Sequence, residues 1–267
     1  MNSQNTYSVT MLGCGKMGGA ILTSWLEKGL TTAVTAIDPT PLDFNDPRVT
    51  HHSSADIEIH SNILVLAVKP QMLHEAAQAL HDNVAKDTVI MSIAAGKSLS
   101  SLEAFFKPDQ PIVRVMPNTP AAIGQGANVA IANNHVTKDQ KEAVSDLLAA
   151  TGTVHWIEDE SLMDSVTALS GSGPAYIFYL IEMLAQSGEK LGLDADMAME
   201  LARQTVIGSA ALAAADQNSD ASTLRKNVTS PGGTTEAALN ILMDGRAQEI
   251  FDEALTAAKK RGEELNA

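Results

Sequence analysis

Val9-Thr10-Met11-Leu12-Gly13-Cys14-Gly15-Lys16-Met17-Gly18 is an apolar run that passes into a glycine-spaced turn and then, over residues 17–27, into a segment of helical spacing. Strand, glycine turn and helix in that order open a dinucleotide-binding unit, and each glycine has a physical reason. Gly13 permits the tight turn, Gly15 lets the backbone approach a pyrophosphate, and Gly18 allows the helix to pack on the strand. The helix start, with Lys16 and Met17, adds free N–H groups and the positive end of a dipole. Asp38 follows Gly18 by twenty residues, at the end of the next apolar run. An acidic residue there accepts hydrogen bonds from the adenosine ribose hydroxyls, favouring NADH, and repels the extra phosphate of NADPH. Asp38 also reads as a turn residue ahead of Pro39 and Pro41. Cys14 reads as a small apolar loop residue rather than a reactive thiol, because a neighbouring pyrophosphate disfavours a thiolate.

Working outward, apolar runs at residues 34–37, 63–68, 89–93, 112–115 and 128–131 read as buried strands. Residues 72–80 carry Leu73, Ala76, Ala77 and Leu80 on one helical face. Strand and helix in alternation predict a parallel sheet with right-handed crossovers. The third strand delivers Ala67-Val68-Lys69-Pro70 to the carboxyl edge, where open α/β sheets bind ligands. Lys69 reads equally as an exposed loop charge, and Pro70 suits a helix start. The next edges carry Ala94-Ala95-Gly96 and Met116-Pro117-Asn118-Thr119-Pro120. Asn118 either orients a nicotinamide carboxamide or caps its own turn.

From about residue 161 the strand pattern stops, and Ala, Leu, Met and Glu at helical spacing take over. The expected division is 1–160 for the dinucleotide-binding domain and 161–267 for an all-helical domain. The boundary lies near residues 151–161, where Gly152, Val154 and Trp156 close the sheet. Residues 174–191 are apolar nearly all round in their first two turns, as in a helix enclosed on several sides. A chain of 267 residues has little left to enclose it, which predicts a dimer through this half. Leu201, Thr205, Gly208, Leu212 and Ala215 fall three or four apart, and the small members allow close helix approach. Ser170-Gly171-Ser172-Gly173-Pro174-Ala175-Tyr176 breaks one helix and restarts another at Pro174. Ser230-Pro231-Gly232-Gly233-Thr234-Thr235-Glu236 precedes a helix with Ala238, Ile241 and Leu242 on one face. Its unblocked N–H groups suit a carboxylate or phosphate, or simply begin a capped helix.

A formal charge of -14 with no basic patch opposes nucleic-acid binding. The long uncharged stretches 115–137 and 165–181 are interrupted by Pro, Gly, Asn or Ser, so no membrane span is expected. Cys14 is the one cysteine and the first residues lack a signal-peptide pattern, which together point to a cytoplasmic protein. The seven histidines show no metal-ligand spacing, and neither a nucleophile elbow nor a P-loop is present.

In order and over nearly the whole chain, residues 13–20, Ala67 to Pro70, Ala94 to Gly96, Met116 to Pro120, Ser170 to Tyr176 and Ser230 to Thr235 closely resemble pyrroline-5-carboxylate reductase. The resemblance implies an α/β fold: an N-terminal Rossmann-type parallel-sheet domain followed by an all-helical dimerisation domain. It also implies reduction of 1-pyrroline-5-carboxylate to L-proline with NADPH or NADH, by homodimers that often associate into decamers. By similarity, the N–H groups around Gly233, Thr234 and Thr235, with Ser230, hold the substrate carboxylate. The Thr235 hydroxyl hydrogen-bonds the ring nitrogen, either donating a proton relayed from water or only orienting the ring, the second being favoured because a hydroxyl is a poor acid in isolation. Two positions depart from the family pattern: Ser219-Asp220-Ala221-Ser222-Thr223 replaces a His-Pro pair, and Asp38 stands where NADPH-preferring relatives carry a small polar or basic residue. A hydroxy-acid dehydrogenase of the same domain arrangement would carry a lysine early in the second domain, and residues 161–189 contain none. A regulator that holds dinucleotide without turnover has no use for the turn at residues 230–235.

Overall fold

The computed structural model describes residues 6–42 and 44–266. Eight strands form one sheet: β1 (Tyr7–Leu12), β2 (Thr31–Ile37), β3 (Val49–His52), β4 (Ile63–Leu66), β5 (Val89–Ser92), β6 (Ile112–Met116), β7 (Gly126–Ala132) and β8 (Gly152–Trp156). Their spatial order is β3-β2-β1-β4-β5-β6-β7-β8, so the chain reverses direction across the sheet between β1 and β4. Helices α1 (Lys16–Glu27), α2 (Leu73–Leu80), α3 (Leu99–Glu103) and α4 (Lys138–Ala149) lie among the strands. Strands buried on both faces read as continuous apolar runs, and β4 (Ile-Leu-Val-Leu) and β5 are buried at every position. One face packs Val9, Met11, Val65 and Val113 against Ile21, Leu22 and Trp25 of α1 and Val144 and Leu147 of α4. The other packs Leu64, Leu66 and Ile90 against Leu73, Ala77 and Leu80 of α2 and Leu102 of α3.

Two features depart from the all-parallel expectation. β6 and β7 are antiparallel, because the connection between them is one short 3₁₀ turn, Thr119–Ile123, too brief for a crossover. β3 escapes an apolar-run reading because it is an edge strand with exposed Thr50 and His51. It pairs only with β2, His51 opposite Ala36 and His52 opposite Ile37.

Past β8 the chain is helical: α5 (Met163–Val166), a π-helical turn (Thr167–Gly171), α6 (Gly173–Lys190), α7 (Ala195–Ala215), α8 (Ala221–Asn227), α9 (Thr234–Leu242) and α10 (Arg246–Asn266). The expected break at residues 170–174 is that π turn, where the Ser172 N–H reaches the Thr167 carbonyl at 2.8 Å. Two compact units result. One runs from β1 to Ser172 and takes in the end of α10 from Ala258; the other is Gly173–Ala257. Within the helical unit α6 and α7 pack through small residues, with Gly188 beside Ala198. Among the described residues, its buried hydrophobics are Ala185, Ala198 and Ala202, whereas Ile177, Phe178, Tyr179 and Leu180 stay exposed.

Candidate active site

The carboxyl ends of β1, β2, β3 and β4 surround a cleft of about 550 Å³. Gly13, Gly15, Asp38, Ala67, Val68 and Lys69 line it, together with Pro39, Thr40, Ser53, Ser54, Ala55, Met72 and Glu75. The serines follow β3 and escape sequence reasoning for the same reason that β3 does: the strand that brings them to the edge has no apolar pattern.

The glycine turn is tight where it faces protein and open where it faces the cleft. Gly13 has φ +88°, and a Cβ there would stand 2.9 Å from Val68 Cγ1. A Cβ on Gly18 would stand 2.4 Å from the Gly13 carbonyl oxygen, while a Cβ on Gly15 would meet nothing within 4 Å. Gly15 is the N-cap of α1 with no side-chain cap, so the N–H groups of the first turn lack intrahelical partners. Lys16 is exposed at the helix start and Met17 packs against the core. These features fit a dinucleotide pyrophosphate: a backbone cradle at a helix N-terminus, with space over the one glycine that must be approached.

Asp38 closes its local turn and also lines the cleft. Its Oδ1 accepts the Thr40 N–H at 2.9 Å, closing a local turn, and its Oδ2 accepts the Cys14 N–H at 2.8 Å, tying β2 to the glycine turn. Each oxygen keeps a lone pair for a ribose hydroxyl. From β3, His51 Nε2 donates to the Asp38 carbonyl at 2.8 Å. Burial, with the Asp38 charge adding to it, pushes the Cys14 thiol up to about 12. The thiol is neutral at physiological pH.

The other sequence candidates lie outside the lining of this cleft. Pro70 opens a 3₁₀ turn before α2. Ala95 is exposed, and Gly96, at φ +70°, lies against Leu265 of α10. Asn118 caps nothing of its own: its Oδ1 accepts the Ala127 N–H at 2.9 Å and its Nδ2 donates to the Ser170 carbonyl at 3.1 Å. Sequence reasoning missed an ion pair between the buried Arg114 and the half-buried Glu160 at 2.8 Å, in which Glu160 also accepts the Leu99 N–H. A lone arginine inside an apolar strand was the available signal.

In the helical unit the second glycine turn ends at the start of α9. Gly232 has φ +71°, and Gly233 is the N-cap with extended backbone and no side-chain cap. The Gly233 N–H is engaged by the Ser230 carbonyl at 3.0 Å. Among the described residues, the N–H groups of Thr234, Thr235 and Glu236 and the Thr235 hydroxyl have no hydrogen-bond partner. Nearby, Asp220 caps α8 through the Thr223 N–H at 2.6 Å, a bond that lowers its carboxyl below the usual range.

No helix among the described residues is long and apolar enough to cross a membrane. Residues 160–265 match the family model for pyrroline-5-carboxylate reductase dimerisation, and residues 8–96 match that for NADP oxidoreductase, coenzyme F420-dependent. A pyrroline-5-carboxylate reductase of Pseudomonas aeruginosa is 38 % identical over 98 % of this chain and 97 % of its own length. A solved pyrroline-5-carboxylate reductase from Coxiella burnetii superposes with a TM-score of 0.91 at 35 % identity, covering 98 % of this chain and all of that one. The Plasmodium falciparum pyrroline carboxylate reductase, solved with NADP bound, superposes with a TM-score of 0.85 at 28 % identity, over 99 % of this chain and all of its own.

Proposed function

The chain belongs to the pyrroline-5-carboxylate reductase family, and from that premise we propose how its residues divide the reaction. The enzyme reduces 1-pyrroline-5-carboxylate to L-proline, the last step of proline biosynthesis, with NAD(P)H as donor. In our reading, residues 13–18 cradle the pyrophosphate and Asp38 receives the adenosine ribose. Ala67, Val68 and Lys69 wall the same cleft, Pro70 follows them at the start of the next 3₁₀ turn, and Ala95, Gly96 and Asn118 complete the sheet edge on the nicotinamide side. We assign the dinucleotide to residues 1–160 and substrate and self-association to 161–267, of which 161–172 and the end of α10 from Ala258 belong to the compact sheet unit.

The reduced nicotinamide supplies a hydride from carbon 4. A protonated cyclic imine is already an electrophile, so the protein's task is to fix the substrate and keep its orientation. We assign the substrate carboxylate to the N–H groups at the start of α9, with Ser230 and Gly233 shaping the turn. The Thr235 hydroxyl goes to the ring nitrogen, which it orients; a hydroxyl is a poor acid, so the proton comes from water. One observation carries this assignment: three adjacent N–H groups without protein acceptors stand beside a free hydroxyl on a turn that no apolar packing requires.

The Asp38 charge at the cleft supports NADH as the better donor, since an added 2′-phosphate would face that carboxylate. Self-association runs through the helical unit, as homodimers with decamers built from them. The single cysteine, Cys14, fits a reducing cytoplasm. Loss of reduced-nicotinamide absorbance with 1-pyrroline-5-carboxylate tests the assignment. Thr235→Ala should lower turnover ~10- to 100-fold, the scale of a lost oriented hydrogen bond, without changing dinucleotide affinity. Unchanged kinetics would remove Thr235 from the site, and faster oxidation of NADPH than of NADH would reverse the role given to Asp38.

A further inference from the structure

Three free N–H groups select an anion only if the turn before them is held still. Gly232 makes that difficult, because it sits at φ +71° and a Cβ there would meet nothing within 4 Å. Neither packing nor a side chain of its own fixes its conformation, and glycine has the widest backbone freedom of any residue. Two hydrogen bonds do the holding. The Gly233 N–H donates to the Ser230 carbonyl at 3.0 Å, and the Gly232 N–H donates to Glu236 Oε2 at 2.7 Å.

Glu236 is the third residue of α9, the position from which a glutamate ordinarily reaches back to the N-cap N–H. Here the N-cap is Gly233, whose N–H is taken, and the carboxylate reaches one residue further to Gly232. The bond is short and its acceptor ionised, which makes it one of the stronger local bonds available to a backbone N–H. Glu236 is also half-buried, unlike the exposed Thr234 beside it.

This arrangement has a cost that exposes its purpose. A carboxylate in the first turn puts a negative charge next to the place assigned to the negative substrate. An amide would accept the same hydrogen bond without repulsion. We propose that Glu236 is a positioning residue for the substrate carboxylate: by holding the Gly232 N–H it locks the left-handed turn that aims the Thr234, Thr235 and Glu236 N–H groups at one anion. The inference rests on the substrate site assigned above.

The test separates the acceptor from the charge, using the full-length protein and L-proline as the probe in titration calorimetry. Glu236→Ala removes both and should weaken L-proline binding ~10-fold, the worth of one organising hydrogen bond. The KM for 1-pyrroline-5-carboxylate should rise in parallel, with kcat at saturation and NADH affinity unmoved. Glu236→Gln keeps an oxygen acceptor and removes the charge, so it should bind L-proline ~2- to 3-fold more tightly than the parent, the scale of one screened charge. Unchanged binding in Glu236→Ala, tighter binding in both variants, or equal weakening in both would each overturn the proposal. Should Glu236→Ala fail to fold, the direction of the Glu236→Gln change decides alone. Failure of the underlying site looks different: the unsubstituted protein would then bind pyrrolidine, which lacks the carboxylate, as tightly as L-proline.

Discussion

The sheet unit closes over its own core, and the helical unit does not. On the sheet, two apolar clusters cover both faces, with Trp25, Ile63, Leu64, Leu73 and Met91 wholly buried. In the helical unit three alanines are buried while a run of four large side chains on α6 is exposed. A helix that leaves large apolar side chains exposed all round its surface marks an interface rather than a water-facing surface. The two glycine turns repeat the contrast: the one at residues 13–18 is wedged between β1, α1 and β4, while the one at residues 230–235 stands clear of packing and is held by hydrogen bonds. A turn built into a closed core resists change at its atoms of contact, and a turn built outside one depends on its hydrogen bonds.

The largest effect follows from the open face. Phe178→Asp places a charge among apolar residues that a partner would cover, and dimer affinity should fall ~1000-fold or more, the range of a lost interface anchor. Sedimentation at micromolar concentration should then give a mass near 28.1 kDa. A dimer of unchanged affinity would break the comparison at its root.

The second effect tests the wedged turn. Gly18→Ala forces a Cβ to 2.4 Å from the Gly13 carbonyl oxygen, and backbone must move to admit it. Overpacking of this kind costs about 1–3 kcal/mol, so NADH affinity should fall up to ~100-fold by fluorescence titration, with the helical unit unaffected. Gly232→Ala is milder, because space is free and only the left-handed backbone resists. A penalty of about 1–2 kcal/mol predicts roughly tenfold weaker binding of L-proline and no change for NADH. If the two substitutions cost the same, the difference between a packed and an unpacked turn has been overstated.

The same contrast governs what could be read from the chain. Buried strands announce themselves as apolar runs, so β1, β4, β5 and β6 are legible, as is the order strand, glycine turn, helix. β3 is not, because an edge strand half in water need not be apolar; with it went Ser53 and Ser54 at the cleft. The reversed β7 is a property of connection length, which hydropathy does not carry. Gly13 and Gly18 are legible by motif, whereas the clash that a Cβ would make with Val68 and with the Gly13 carbonyl is visible only in the structure. Asp38 offers two readings, of which the structure shows the turn closed on Thr40, with the same residue lining the cleft. The bond from Gly232 to Glu236 is a one-residue variation on a capping pattern, set by which N–H groups remain free.

The smallest effect concerns Cys14, whose backbone and side chain are used differently. Its N–H is bonded to Asp38, and any residue supplies that; its thiol is packed against the core and uncharged. Burial first, and the Asp38 charge second, raise the thiol from 9.0 to about 12. A raised value means that the folded protein holds the proton more tightly than the unfolded chain. The associated stability is therefore full below pH 9 and is lost as pH climbs from 9 towards 12. At pH 8 the thiolate population is ~100- to 1000-fold below that of a free cysteine, so alkylation by iodoacetamide should be slow in the folded protein and fast in denaturant. Cys14→Ala keeps the N–H and removes an inert sulfur, so NADH affinity should move by less than ~2-fold, within the scale of a minor packing change. Fast alkylation at pH 8 would show that the thiol is exposed and ionised. The packed turn would then be less closed than the contacts of Gly13 and Gly18 require.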